Sequence, residues 1–282
     1  MAHEDVLIGF SMHPRWLTGS TLDAFLDPLY ERGLRSLEFE LDSHLKGWEE
    51  FEPLMEGCKK RGMEICFHAP YRPPFSLSGF QKGRREEIIE ASSPMWSLAN
   101  EWAERNEHRT EIVFHGASAK HGNIESLRED TKGFILWALQ RFPNLTIALE
   151  NPDIARDEVI KYGGGKRSEI LALVKEIGDP RLGICWDTGH DVRHGIYQDP
   201  PREWLEHVCH VHVHELDDQG EDHNPLVYHN VPNEHWLQLL MGTGMKGTIT
   251  LELKGGNLLG WRKEDIDQAL VHSVQKIQEA IL

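Results

Sequence analysis

The acids and histidines of this chain recur at one kind of place. Seventeen histidines are present, and many close short apolar runs. One run ends Phe67-His68-Ala69, the next Phe114-His115-Gly116, and the next Leu149-Glu150-Asn151. Another ends Trp186-Asp187, with Thr188-Gly189-His190 following. A later run carries His210, His212 and His214 and then Glu215, and the last reads Leu251-Glu252-Leu253. So many carboxylates and imidazoles at one end of a buried structure cannot stay unpaired, because an uncompensated buried charge is very costly. Divalent cations resolve this, with the acids as ligands and the histidines as neutral donors. Mixed imidazole and carboxylate shells suit Zn, Mn or Fe better than Ca, which takes oxygen ligands. One histidine at a strand end is ordinarily a hydrogen-bonded core or rim residue. A recurrence on six successive runs is hard to read that way.

The elements that position these residues follow from hydrophobic periodicity. Eight short apolar runs have strand length: 6–11, 36–41, 64–69, 111–116, 146–151, 182–187, 208–215 and 248–253. Stretches with helical spacing lie between them, including Thr21–Arg32, Trp48–Arg61, Arg84–Arg105, Ile124–Arg141, Ser168–Ile177 and Glu264–Leu282. Glycines follow several of these helices, at Gly33, Gly62 and Gly178, where a left-handed residue closes a helix. Alternating strands and helices imply βαβ units and a parallel sheet. Eight units in 282 residues predict a single (β/α)8 barrel spanning 1–282, whose strand ends all point to one mouth. A doubly wound sheet would carry a glycine-rich phosphate loop after its first strand, and Ser11-Met12-His13-Pro14 is not one.

Composition narrows the function classes. The chain has 30 Lys and Arg against 46 Asp and Glu, a formal net charge of −16. That argues against strong sequence-independent binding of duplex DNA, which needs cationic side chains along the phosphates. No stretch approaches the roughly 18 apolar residues of a membrane span. The start, MAHEDVLIGF, has acids where a signal peptide would be basic. Cys58, Cys66, Cys185 and Cys209 form no CxxC pair and read as buried free thiols. Together these features predict a cytoplasmic protein.

The motifs FHAPY (67–71), VFHGAS (113–118), ALENPD (148–153), CWDTGHD (185–191), HVHVHE (210–215) and LELK (251–254), in this order, resemble the xylose isomerase-like TIM barrels. That superfamily includes endonuclease IV and many sugar isomerases and epimerases. The resemblance implies a barrel with its metal site at the C-terminal mouth. It implies one Mn or similar ion on Glu150, Asp187, His212 and Glu252, as in the isomerases and epimerases. From the endonuclease IV-like members it implies further ligands at His68, His115, His190 and His223, giving as many as three Zn ions. In those members an Asp stands two residues before the last histidine. Here Glu221 holds that place and Asp222 follows it, so either acid is a candidate ligand. Strict alternation puts His210, His212 and His214 on one strand face, and the residues alone do not choose among them.

Two mechanisms follow. The ligand count favours phosphoester hydrolysis, with two or three cations bridged by Glu150 and Glu252 and a metal-activated water as nucleophile. The alternative is sugar or sugar-phosphate isomerisation or epimerisation through an enediolate, with Glu150 or Glu252 as acid and base. Small phosphorylated or sugar substrates fit the acidic surface better than DNA. A barrel that only stores metal is a third class, and it would need a closed coordination sphere. Tyr71, Arg72 and Trp16 are candidate substrate contacts, as is Lys254, which should share a strand side with Glu252. Arg15, Lys82, Arg84 and Arg85 would join Arg72, Trp16 and Tyr71 in any grip on DNA, although solvated loop charge is the ordinary reading of such residues. Trp186 and Trp261 could also line a pocket, with packing the simpler role for Trp186. The Gly163-Gly164-Gly165-Lys166 stretch lacks Walker spacing and reads as a loop. His3, His44, His108 and His272 read as surface residues, and His121 has no assigned place.

Overall fold

In the computed structural model, the described residues are 5–12, 22–40, 52–106, 110–153, 159–164 and 166–282. Eight strands form a closed barrel: β1 (Val6–Met12), β2 (Ser36–Glu40), β3 (Glu64–His68), β4 (Thr110–His115), β6 (Leu145–Glu150), β8 (Leu182–Asp187), β9 (Val208–Val213) and β10 (Gly247–Leu251). Every neighbouring pair is parallel, and β1 closes the ring against β10 with Phe10 opposite Leu251. This is the (β/α)8 barrel that the eight apolar runs predict. Its strands are mostly apolar on both faces, as a sheet covered by helices requires, with buried acids and imidazoles such as Glu38, His210 and His212 as the exceptions. All six residues of β8 are buried, for example.

Five of the runs continue one or two residues past their strands. Ala69, Gly116, Asn151, His214 and Glu252 all lie beyond the last strand residue. The ladder stops where the chain turns at the mouth, so these residues occupy the first loop positions instead of the pleat.

Helices α1 (Leu22–Glu31), α2 (Glu52–Lys60), α3 (Arg85–Arg105), α4 (Ile124–Arg141), α5 (Arg167–Ile177), α6 (Thr188–Arg193), α7 (Arg202–Leu205), α8 (Asn233–Met241) and α9 (Lys263–Ile281) connect the strands. Asn123 caps α4 by accepting the Ser126 N–H. Gly33, Gly62 and Gly178 have positive φ where the first, second and fifth helices end, as their positions after each helix predict. Aromatic rings fill the layer between α3, α4 and the sheet. Trp96 lies edge-on to Phe114 and Phe134, and Phe142 is close beside it.

Two loops at the mouth are tied to the scaffold. Ser118–Ala119 (β5) and Ile160–Lys161 (β7) form a small antiparallel ribbon that joins the loops after β4 and β6. The loop between β3 and α3, which carries Tyr71, is held by buried Asp130 of α4. Its two carboxylate oxygens accept the N–H groups of Gly79 (2.8 Å) and Gln81 (2.7 Å). Asp130→Ala leaves both donors without this acceptor, and each lost partner costs about 1–3 kcal/mol. Urea unfolding should show a loss of about 2 kcal/mol or more, and a change under 0.5 kcal/mol would contradict the tethering role.

Candidate metal centre

The C-terminal ends of the strands bring the expected residues together. One carboxylate or imidazole atom from each of Glu150, Asp187, His212 and Glu252 lies within 4.8 Å of the others. All four residues are buried. His68, His115 and Glu150 form a second such group, and Asp187, His190, His214 and His223 a third. The two outer groups share their acids with the central one, so the three are one continuous cluster.

Local structure fixes each acid differently. Glu150 ends β6 and is almost fully enclosed. Its Oε2 faces His68 Nε2 (3.1 Å) and His115 Nε2 (2.9 Å), while its Oε1 lies 3.3 Å from His190 Nδ1. Burial raises its pKa, but the three rings outweigh burial and hold the carboxyl well below the ordinary range. Asp187 ends β8 and caps α6, its Oδ1 accepting the His190 N–H (2.7 Å). The Asn151 side chain brackets the Asp187 backbone by accepting its N–H and donating to its carbonyl, both at 2.8 Å. Glu252 lies just past β10. Its Oε2 stands 3.1 Å from His212 Nδ1 and 3.3 Å from His223 Nε2, yet has no hydrogen bond. His212 Nδ1 is likewise buried and without a hydrogen bond. Two buried polar atoms facing each other in poor hydrogen-bond geometry are what a shared cation would satisfy, so the donor set fits a divalent ion.

The rings divide protons between them. His68 donates from Nδ1 to the Ala69 carbonyl (3.0 Å). Burial lowers its pKa, but Glu150 more than offsets that and lifts it to about 9. His115 faces the same oxygen, and there burial prevails and its pKa falls. His223 is lifted to about 10 by Glu252 and Asp222 against the cost of burial. His190 donates from Nδ1 to the Asn151 carbonyl (3.0 Å), which leaves Nε2 bare in the neutral ring. His214 differs. Its Nδ1 accepts the His223 backbone N–H (2.9 Å), so its proton sits on Nε2 and is donated to Asp187 Oδ1 (3.1 Å). A ring arranged like this has no lone pair left for a metal and acts by orienting Asp187. Gly189 makes room for it, since a Cβ there would lie 2.0 Å from His214 Cε1.

The structure therefore separates the three histidines of the seventh barrel strand and its extension. His212 faces the central acids. His210 sits deeper and His214 sits beside Asp187. It also separates the two acids before His223. Glu221 joins none of the ligand groups found among the described residues, its backbone being engaged with Asp217 and Asn224. Asp222 instead is the acid beside His223, with Oδ1 3.0 Å from Nδ1, and it also binds Arg193 and Lys254. Asp222 likewise joins none of those groups, and it is the acid of the two that contacts His223.

Around the mouth, Tyr71 is 40 % exposed and stacks on His115 with ring centroids 4.2 Å apart. Arg72 lies over the Tyr71 ring. Lys254 stands at the rim, 2.5 Å from Asp222 Oδ1. Trp16, Arg15, His3, His44 and His108 lie outside the described residues. Arg84 is tied to Glu87 and the Ser78 carbonyl, Lys82 to Ser126, and Arg85 covers Phe80, so all three serve local packing. Trp186 is fully buried and donates to Asp191 (2.6 Å), in keeping with the packing role. Lys166 pairs with Glu169, and His121 is exposed. The inward acid Glu38, on β2, was not foreseen. It contacts both His210 and His212.

The chain belongs to the xylose isomerase-like TIM barrel family, whose model matches residues 26–278. Among solved structures it is similar to a D-tagatose 3-epimerase-like protein, at 20 % identity over 96 % of this chain and 99 % of that one, with a TM-score of 0.66. It is also similar to a D-allulose 3-epimerase from Methylomonas sp. in complex with D-allulose, at 14 % identity over 98 % and 97 % with a TM-score of 0.65. A third is a probable 3-DHS dehydratase from Bacillus anthracis, at 15 % identity over 95 % and 97 % with a TM-score of 0.62. Identities this low establish the shared barrel. No curated protein matches the sequence. Among the described residues no helix is long and apolar enough to cross a membrane.

The raised pKa values of His68 and His223 carry a sign. Each ring stabilises the metal-free fold fully below its unfolded value near 6.5 and loses that contribution as pH rises through its folded value. Chelator-treated protein should therefore lose stability between about pH 6.5 and 10. Thermal melts across that range check this, and a melting temperature that rises steadily to pH 9 would contradict the assignment.

Proposed function

We propose that this protein is a divalent-metal-dependent isomerase or epimerase of a small polyhydroxy carbonyl compound, a ketose or its phosphate. The observation that carries the reading is the convergence of Glu150, Asp187, His212 and Glu252 within 4.8 Å, with His212 Nδ1 and Glu252 Oε2 both buried and unbonded. When bound, Mn or a similar ion would polarise the substrate carbonyl and its neighbouring hydroxyl. Epimerases among the similar structures are consistent with this reading.

The two glutamates have unequal environments and so unequal roles. Glu150 is gripped by three imidazoles and is suited to holding position. Glu252 keeps an oxygen free of hydrogen bonds and is the better group to take a proton from the substrate carbon and return it. His223, 3.3 Å away, would hold Glu252 ionised until it takes that proton. Tyr71 would cover one face of the substrate, and Lys254 and Arg72 would meet an anionic end.

A second reading, phosphoester hydrolysis on two or three ions, is favoured by one observation. His68, His115 and Glu150 form a separate ligand group, and His68 already donates its other proton to a carbonyl as metal-bound rings do. Within the third group His214 has no lone pair to offer, which leaves Asp187, His190 and His223 there.

Metal analysis of the purified protein, together with assays on ketoses and phosphodiesters, separates the two. One ion per chain and ketose turnover support the first reading. Two or three ions with phosphoester turnover overturn it. Glu252→Gln should lower turnover about 10²- to 10⁴-fold, the usual range for a lost acid–base group, and should also weaken binding of the ion, since Glu252 is one of the four ligand residues.

A further inference from the structure

Below the mouth, the barrel interior holds acids and imidazoles that the proposed chemistry does not touch. Glu111 is the second residue of β4. Its carboxylate lies at the end of the barrel away from the mouth, beside Gly247, the first residue of β10, where a Cβ would stand 3.0 Å from Glu111 Oε1. Glu111 Oε2 is 2.7 Å from His210 Nδ1. The other nitrogen of that ring, Nε2, is 2.7 Å from Glu38 Oε2. Both carboxylate oxygens of Glu38 are in turn 3.1 Å from His212 Nε2. Thr250 Oγ1 donates to Glu38 Oε2 (3.3 Å). His212 Nδ1 then faces Glu252 Oε2. Glu38, His210 and His212 are all fully buried.

This chain of contacts leaves little freedom. His210 Nδ1 meets the Glu111 carboxylate, while Nε2 lies beside Glu38 and donates to Thr250 Oγ1 (3.0 Å), whose own proton goes to Glu38, so both nitrogens donate and the ring is a cation. Glu38 is surrounded by donors and is an acceptor throughout. The side of His212 facing Glu38 must therefore carry its proton, and Nδ1 is the nitrogen left to meet the acids at the mouth. As a stability device the arrangement is poor, because replacing buried ion networks by well-packed apolar residues is often neutral or stabilising. Its clearest product is the orientation of one ring.

We propose that Glu111, His210 and Glu38 form a positioning relay along the barrel axis that dictates which nitrogen of His212 is offered as ligand. The relay rests on the reading that the central group binds a divalent ion. In this arrangement Glu38 acts directly on His212. Glu111 acts from the opposite end of the barrel through His210, by keeping that ring charged and directed at Glu38.

Zn²⁺ titration of chelator-treated full-length protein, by competition with a chromophoric chelator, tests the relay. It is paired with ¹⁵N NMR of the histidine rings in the Zn²⁺-loaded state. Glu38→Gln should weaken Zn²⁺ about 10- to 100-fold, the usual cost of losing a carboxylate behind a ligand ring. Glu111→Gln should weaken it in the same direction by roughly threefold or more. The loaded wild type should show His212 metallated at Nδ1 and protonated at Nε2, and Glu38→Gln should lose that pattern. A wild type that does not take up Zn²⁺ overturns the metal centre itself. A wild type that binds, with both variants binding equally well and an unchanged His212 spectrum, overturns the relay alone. If Glu38→Gln does not fold, the partly exposed Glu111 position decides.

Discussion

Charge compensation inside a closed cylinder governs this structure. Glu38, Glu150, Asp187 and Glu252 are buried within or at the end of the barrel, where an unpaired carboxylate is untenable. Each is met by imidazoles: Glu38 by His210 and His212, Glu150 by His68, His115 and His190, Asp187 by His190 and His214, and Glu252 by His212 and His223. Imidazole suits the task because it can hold one proton or two and so match whatever charge the neighbouring acids leave. The same property lets a proton give way to a metal ion at one nitrogen while the other stays hydrogen-bonded. The cluster that keeps the metal-free barrel tolerable is thus also one that can accept a cation with little rearrangement.

Most of the architecture was legible in the residues. Eight apolar runs separated by helical spacing have one simple solution, and the polar residue ending each later run marks the mouth. The interior acids were harder to read. Glu38 sits inside Ser36–Glu40, a run whose remaining residues give no sign of which side faces inward, because a barrel strand is apolar on both faces. Glu111 opens its strand where a solvated residue is ordinary. The signal that would have found Glu38 is an acid centred in a strand that is otherwise apolar on each side, as Leu37 and Phe39 make it. Separating His210, His212 and His214 required coordinates for a related reason. Alternation places all three inward and says nothing of depth along the axis, and depth decides whether a ring meets Glu111, Glu252 or Asp187. Which of Glu221 and Asp222 contacts His223 turned on a loop, and spacing carried over from a family is least reliable where backbone turns are free to differ.

Counting nearby imidazoles treats every ring within reach of an acid as a ligand, whereas hydrogen-bond geometry does not. The difference lies in what a histidine at the right distance is worth. Distance makes His214 a member of a ligand group, but the backbone N–H of His223 occupies its Nδ1 and leaves a proton on Nε2. A ring is a ligand only if its free lone pair faces the ion. That criterion passes His212, supports His68 and excludes His214, so the imidazoles near an acid cluster outnumber its ligands.

The same logic distinguishes two glutamates that composition alone would treat as equal. Glu150 and Glu252 both end inward-facing strand segments and both contact the central group. Three rings consume the acceptor capacity of Glu150, so taking a proton there would require breaking contacts that hold the site together. Glu252 contacts two rings, and its Oε2 remains unbonded, so protonation there disturbs least. Environment divides the labour between identical groups, as it commonly does for paired carboxylates. The asymmetry arises from position: the ends of β3 and β4 and the start of α6 bring His68, His115 and His190 against Glu150, whereas the chain after β10 leads directly to Lys254 at the rim. The less constrained carboxylate is therefore also the more exposed of the two, at 8 % against 1 %.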